Sequence, residues 1–242
     1  MSYNILGVGN NAKTVKGDGS EYMTAIRYLK PYKTVFKGKV HNLCALADKA
    51  KCHEPCLFTA GRGQMGVVQR GRERKTMLLL SDPITFYDEL YKDITTFVRR
   101  QMSKGIKPCL RLGGTDDKGD AIKIAPHFPD AQFYDYTKVV KRAYMKLPDN
   151  YHITLSYSEA DPDYAEQVYQ AVRATGVNMA VVFEGKFPTT FRGLRVVDGD
   201  ADDLRFLDPK GVVIGLKAKG LAKHDKSGFV IRFGFRDWIK SN

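Results

Sequence analysis

The chain has 242 residues, 43% hydrophobic and 11% aromatic, which is enough apolar material for one large α/β core and too much for a disordered protein. Its formal net charge is +12, from thirty-nine Lys and Arg against twenty-seven Asp and Glu. No apolar run approaches the roughly 18 residues that span a bilayer, and Met1-Ser2-Tyr3-Asn4 does not open a secretion leader, so a cytoplasmic setting without membrane contact is expected.

The first residues are rich in glycine and asparagine (Gly7, Gly9, Asn10, Asn11, Gly17, Gly19), which predicts a loosely structured arm over 1–32. Residues 33–242 are then expected to form a single α/β domain. A short strand over 35–40 leads into a cysteine-rich loop at 41–63, and a basic stretch follows. Ser81-Asp82-Pro83 reads as a helix start, with Asp82 as N-cap and Pro83 where a missing N–H costs nothing. Phe86, Leu90, Ile94, Phe97, Val98 and Met102 keep helical spacing up to Gly105. A strand over 107–112 enters the turn Gly113-Gly114-Thr115-Asp116-Asp117. Next come a strand over 132–136, a helix over 137–147 and a strand over 152–156. Asp161-Pro162 starts another helix, with Tyr164, Val168, Tyr169 and Val172 on one face and Gly176 closing it. Strands over 179–183, 194–198 and 212–216 complete the pattern.

Such alternation predicts parallel β-α-β units, arranged as a partial or closed barrel of six to eight strands. Polar residues cluster just after the strands, at the rim where barrel enzymes place their chemistry. Asp116, Asp135 and Asp198 are the rim carboxylates expected to act as nucleophile or general base.

The charge excess is uneven. From Lys33 to Lys75 there are ten Lys/Arg and three acids, and from Lys217 to Lys240 seven against two. A polyanion, nucleic acid and above all DNA, is the expected partner. Arg62, Arg70, Arg72 and Arg74 are the expected phosphate contacts, beside the glycine-rich Gly61-Arg62-Gly63-Gln64-Met65-Gly66.

Three of the four cysteines, Cys44, Cys52 and Cys56, fall within thirteen residues. Clustered thiolates of this kind ligate three irons of a [4Fe–4S] cluster, or hold zinc with His41, His53 or Cys109 as fourth ligand. Cys109, on a strand that reads as buried, is expected to pack as a small hydrophobe.

These pieces resemble the phage "gene product eighty-eight" family. The resemblance rests on Asn42-Leu43-Cys44, Cys52 and Cys56-Leu57 running to Gly61-Arg62-Gly63, on Arg111 to Asp116, on Phe133 to Lys138, and on Asp198 to Asp200 with Asp203 to Pro209. The order of parts is also similar to radical S-adenosylmethionine enzymes, in which a cysteine loop follows the first strand and a Gly-Gly turn the second. That likeness implies Cys44, Cys52 and Cys56 as cluster ligands and Gly113, Gly114 and Thr115 as the S-adenosylmethionine-binding turn. The cysteine spacing departs from that family's, with seven and three residues between cysteines in place of three and two. Together these features imply an enzyme that modifies phage DNA or its nucleotides in the host cytoplasm with a cysteine-bound iron–sulfur cluster. The alternatives are a deazaguanine transglycosylase-like base-exchange enzyme and a non-catalytic DNA-binding protein braced by structural zinc.

Overall fold

The computed structural model describes residues 4–8, 21–56 and 59–233. In chain order it contains β1 (Leu6–Val8), β2 (Tyr22–Arg27), β3 (Lys33–Phe36), β4 (Lys39–Asn42), α1 (Gly66–Ser81), α2 (Pro83–Met102), β5 (Lys107–Arg111) and α3 (Ala121–Ile124). These are followed by β6 (Gln132–Thr137), β7 (Tyr151–Ser156), α4 (Pro162–Thr175), β8 (Asn178–Phe183), β9 (Thr190–Phe191), β10 (Leu194–Asp198), β11 (Val213–Lys217) and β12 (Val230–Ile231).

Ten of the strands form one mostly parallel sheet in the order β1-β2-β5-β6-β7-β8-β11-β10-β9, with β12 added to β8. The antiparallel pairs are β1 with β2 and β9 with β10. Among the described residues no pairing joins β1 to β9. The mixed α/β class and the parallel units are therefore as the alternation of elements predicts.

Two helices form where their caps place them. The Asp82 carboxylate accepts from the Thr85 N–H at 3.1 Å and from its hydroxyl at 2.6 Å, Pro83 follows, and Phe86, Leu90, Ile94, Phe97 and Val98 are buried along α2. In α4 the Asp161 carboxylate accepts from the Tyr164 N–H at 2.8 Å, and the helix ends at Gly176 in the left-handed conformation. Strand β8, Asn-Met-Ala-Val-Val-Phe, is apolar on both sides, as a central parallel strand must be.

Other stretches differ from the reading of the sequence. The expected strand over 35–40 is a hairpin, β3 and β4, turning at Lys37 and Gly38 with φ of +47° and +71°. The basic stretch is helix α1, which buries only Arg72, Thr76 and Leu79 and leaves Val67 exposed, so no apolar stripe announces it. Residues 137–147 form a short 3-10 turn, Val140–Tyr144, and no α-helix. There the Thr137 hydroxyl accepts from the Val139 N–H at 3.1 Å and from Arg142 Nη1 at 2.7 Å, a local arrangement that competes with helical bonding. Strands β1 and β2 lie inside the stretch expected to be an arm, while residues 9–20 fall outside the described ones.

The chain divides into two compact units. The first comprises 1–45, 62–135 and 147–152; its helix α2 packs on β1, β5 and α1, around buried Ile26, Phe86, Leu90, Leu110 and Phe133. The second comprises 46–61, 136–146 and 153–242; α4 packs on β8, and Ala180, Val212 and Ile214 form a core cluster with Tyr136, Val197 and Leu216.

Candidate active site

Within the first unit, β2 and β5 run parallel with Ile26 opposite Arg111, so their carboxyl ends lie side by side. Arg27 ends β2, Arg111 ends β5, and the turn Gly113-Gly114 follows at once. The Gly114 N–H donates to the Arg27 carbonyl at 3.1 Å, folding the turn back against β2. A side chain at Gly114 would put its Cβ 2.5 Å from that carbonyl oxygen and 2.7 Å from the Tyr28 ring. At Gly113 a Cβ would stand 3.1 Å from the Asp135 carboxylate. Only glycine permits both approaches.

The turn is then stitched in place. The Thr115 hydroxyl donates to the Leu29 carbonyl at 2.5 Å, and the Asp117 N–H to the Leu43 carbonyl at 2.9 Å. The Cys44 sulfur lies 3.6 Å from the Thr115 carbonyl oxygen.

Three carboxylates gather around this turn. Arg27 donates from Nη2 to Asp116 Oδ1 at 2.9 Å and from Nη1 to Asp120 Oδ2 at 2.5 Å. Asp135 Oδ1 accepts from the Gly113 N–H at 2.6 Å, and its Oδ2 accepts from the Tyr151 hydroxyl at 3.4 Å. The Arg27 and Asp116 side chains are both wholly excluded from solvent. Asp116 Oδ2 is buried and has no hydrogen-bond partner among the described residues.

Counting charges explains the protonation. Asp116, Asp120 and Asp135 act on Arg27, Arg111 acts on Asp135, and Asp117 adds to the field at Asp116, so acids outnumber arginines around two carboxyls that burial strips of water. Burial pushes the Asp135 carboxyl up to about 7, and the Gly113 N–H and Arg111 offset this only in part. Burial likewise lifts Asp116 to about 6, against the pull of Arg27. Burial disfavours the Arg27 charge, but Asp116, Asp120 and Asp135 more than compensate and its guanidinium stays charged. Tyr87 is pushed up to about 12 by burial and by Asp120, so it remains a proton donor. Of the two carboxyls, Asp135 is pushed further, because Arg27 bonds Asp116 directly while Asp135 is held by the Gly113 N–H.

Five residues expected from the sequence meet here: Gly113, Gly114, Thr115, Asp116 and Asp135. Asp198 does not belong to the group. It is an exposed residue at the end of β10 in the second unit, where its Oδ1 accepts from the Asp200 N–H at 2.8 Å. Arg27, Asp120 and Arg111 were missed. Reading residues 22–27 as a strand would have exposed Arg27, but the glycine- and asparagine-rich residues before it hid that strand.

Cys44 belongs to the first unit, and Cys52 and Cys56 to the second. The buried Cys52 sulfur lies 3.9 Å from the Ala47 carbonyl oxygen, and the Cys56 carbonyl accepts from the Thr59 N–H at 2.9 Å and from its hydroxyl at 2.8 Å. Among the described residues no three His, Cys, Asp or Glu side chains are grouped to hold a metal ion. Cys109 is fully buried in β5.

Arg62, Arg70 and Arg74 are exposed. Arg72 is not: its Nη1 donates to the Gly63 carbonyl at 3.3 Å and its guanidinium stacks 5.4 Å from the Tyr28 ring centroid, so it braces α1 and offers no open charge to a phosphate. No helix among the described residues is long and apolar enough to cross a membrane.

The family model for Gene product 88 matches residues 4–232. The chain belongs to the Gene product 88 family. No curated protein and no solved structure matches it. The Gene product 88 match takes in β1 and β2 and so includes Arg27, together with all the stretches on which the family resemblance was read.

Proposed function

We propose that this Gene product 88 protein is an enzyme that modifies nucleic acid by proton transfer at the Gly113–Gly114 turn. Asp135 and Asp116 are its proton-holding groups, Arg27 is the positioning residue that keeps Asp116 in place, and Arg62, Arg70 and Arg74 are its phosphate contacts. The observation that carries the reading is the buried, unevenly charged group Arg27–Asp116–Asp120–Asp135 at the carboxyl ends of parallel strands. Perturbed acids gather at working sites, because a carboxyl that titrates near pH 7 can both give and take a proton there. Parallel α/β sheets, open or closed into barrels, bind their ligands beyond the carboxyl ends of the strands. Asp116 Oδ2 adds a buried acceptor that no group among the described residues uses.

The nucleic-acid half of the reading rests on the net charge of +12 and on the three exposed arginines at and before α1. The test is a nucleoside profile, by mass spectrometry, of DNA from cells expressing the wild type or Asp135→Asn. A modified nucleoside present with the wild type and absent with the variant, at equal protein level, is expected. Identical profiles, modified or not, would sink the proposal. An Arg62/Arg70/Arg74→Gln variant should bind duplex DNA more weakly across all sequences, with a flatter salt dependence.

A further inference from the structure

The hairpin β3–β4 is a sheet of its own, and the candidate active site makes no use of it. Its register places Thr34 opposite His41 and Val35 opposite Val40. Alternation then separates two faces. Thr34, Phe36, Lys39 and His41 lie on one; Thr34 is buried, and the Phe36 and His41 rings meet edge to face at 6.2 Å. Lys33, Val35, Val40 and Asn42 lie on the other, where Val35 and Val40 are each 64% exposed.

Two β-branched residues set opposite each other and left in water stand out on a short ribbon, because such a pair normally packs against something. The charge along the ribbon itself is of one sign. Lys33, Lys37 and Lys39 are all exposed, and no Asp or Glu occurs between Pro31 and Asn42. Lys37 and Lys39 ion-pair with no carboxylate among the described residues; Lys37 stands 5.4 Å from the Phe36 ring centroid and Lys33 4.7 Å from that of Tyr32.

We propose that this hairpin is a second nucleic-acid contact, a two-stranded ribbon that enters the major groove of duplex DNA. Its lysines would lie along the phosphates, with the Val35–Val40 pair against the base edges. The dimensions agree: strands about 4.8 Å apart with their side chains make a ribbon that fits a groove about 12 Å wide. The chemistry agrees too, since lysines neutralise phosphates and a bare aliphatic pair makes apolar contact with thymine methyl groups. Two valines are too small a patch to anchor a protein partner, whose stable interfaces bury about 800 Å² per side. The inference rests on the nucleic-acid reading above but involves different residues.

The experiment measures duplex binding by fluorescence anisotropy over a range of salt concentrations. It compares the wild type with Lys33/Lys37/Lys39→Gln, Val35/Val40→Ser and the Arg62/Arg70/Arg74→Gln variant. All the substituted side chains are exposed, and unchanged thermal midpoints confirm folding. The lysine variant is expected to lower the slope of log K against log salt by about 2 to 3, at roughly 0.9 for each phosphate that is no longer neutralised. The valine variant should keep the slope and lose its preference for thymine over uracil at matched positions. If the lysine variant keeps the wild-type slope while the arginine variant loses it, the hairpin inference is overturned and the nucleic-acid reading stands. If the wild type shows no salt-dependent binding at all, both fall. A slope reduced only in the lysine variant supports the hairpin and removes the arginines from the DNA interface.

Discussion

Each compact unit buries an arginine among aspartates, and the two do so in opposite ways. In the second unit Arg205 finds its partners within six residues of chain: Asp202 Oδ1 at 3.0 Å, the Asp202 carbonyl at 2.8 Å and Asp208 Oδ2 at 3.2 Å. That arrangement staples one loop to itself, and Asp202 remains 43% exposed. In the first unit Arg27 reaches Asp116 and Asp120, 89 and 93 residues away, and ties the end of β2 to the segment beyond β5. Water can still reach the local staple. It cannot reach Arg27 and Asp116, so protein groups alone have to balance their charge. The same ion pair thus braces a loop in one unit and builds a protonation site in the other.

The largest expected effect tests that contrast directly. Arg27→Met should cost about 3 to 5 kcal/mol in urea unfolding, because it strands Asp116 and Asp120 in a dry site. The loss should be greater at pH 8 than at pH 5, where Asp116 can protonate. Arg205→Met should cost roughly 1 to 2 kcal/mol, as the partly exposed Asp202 recovers its hydration. Equal losses would mean that the two arginines do the same job.

The carboxylates sharpen the comparison through pH. A carboxyl whose folded value is raised holds its proton more tightly when folded. Its favourable contribution is complete below about pH 4 and is lost as pH rises through the folded value. For Asp135 that window runs up to about 7, and for Asp208, lifted by burial against the pull of Arg205, to about 6. Asp135→Asn should therefore gain about 2 to 4 kcal/mol over the wild type between pH 4 and 8. Asp208→Asn should show the same sign and level off one pH unit sooner. Thermal melts at pH 4, 6 and 8 read both, and a flat difference for Asp135→Asn would place its proton elsewhere.

The smallest expected effects come from two glycines of the first unit. Gly114→Ala should cost about 1 to 3 kcal/mol, since the new methyl group runs into the Arg27 carbonyl. Gly71 sits inside α1, where a Cβ would point into open space with nothing within 4 Å. Gly71→Ala should therefore stabilise by about 0.5 to 1 kcal/mol. Denaturant midpoints distinguish the two signs.

Much of the fold is legible in the sequence alone. Asp82-Pro83 and Asp161-Pro162 started helices, Gly105 and Gly176 followed their ends, and the apolar run at 178–183 was a buried parallel strand. Helix α1 was not legible, because its stability does not depend on a continuous apolar stripe: Arg72 is one of its few buried residues and lies against Tyr28. Residues 137–147 carried helical residue types, yet the Thr137 hydroxyl bonded locally and the segment turned. Asp116 and Asp135 were candidates from their place after strands, and the two glycines from the likeness to radical S-adenosylmethionine enzymes; the structure brings all four to one turn. Arg27 and Asp120 were not, since nothing near either of them in the chain shows which charge it will meet.

The sequence by itself determined the elements whose signals act within a few residues: caps, turn glycines, apolar runs, and the family to which the chain belongs. Tertiary structure alone decided that Arg27 would lie beside Asp116 and Asp120, that burial would push the Asp135 carboxyl up, and that Arg72 would be buried while Arg62, Arg70 and Arg74 stayed in water. The reason is the range of the forces. Capping and turn bonds are closed by neighbours in the chain, whereas the state of a buried charge depends on every group that the strand register brings within reach and on how completely water is excluded there.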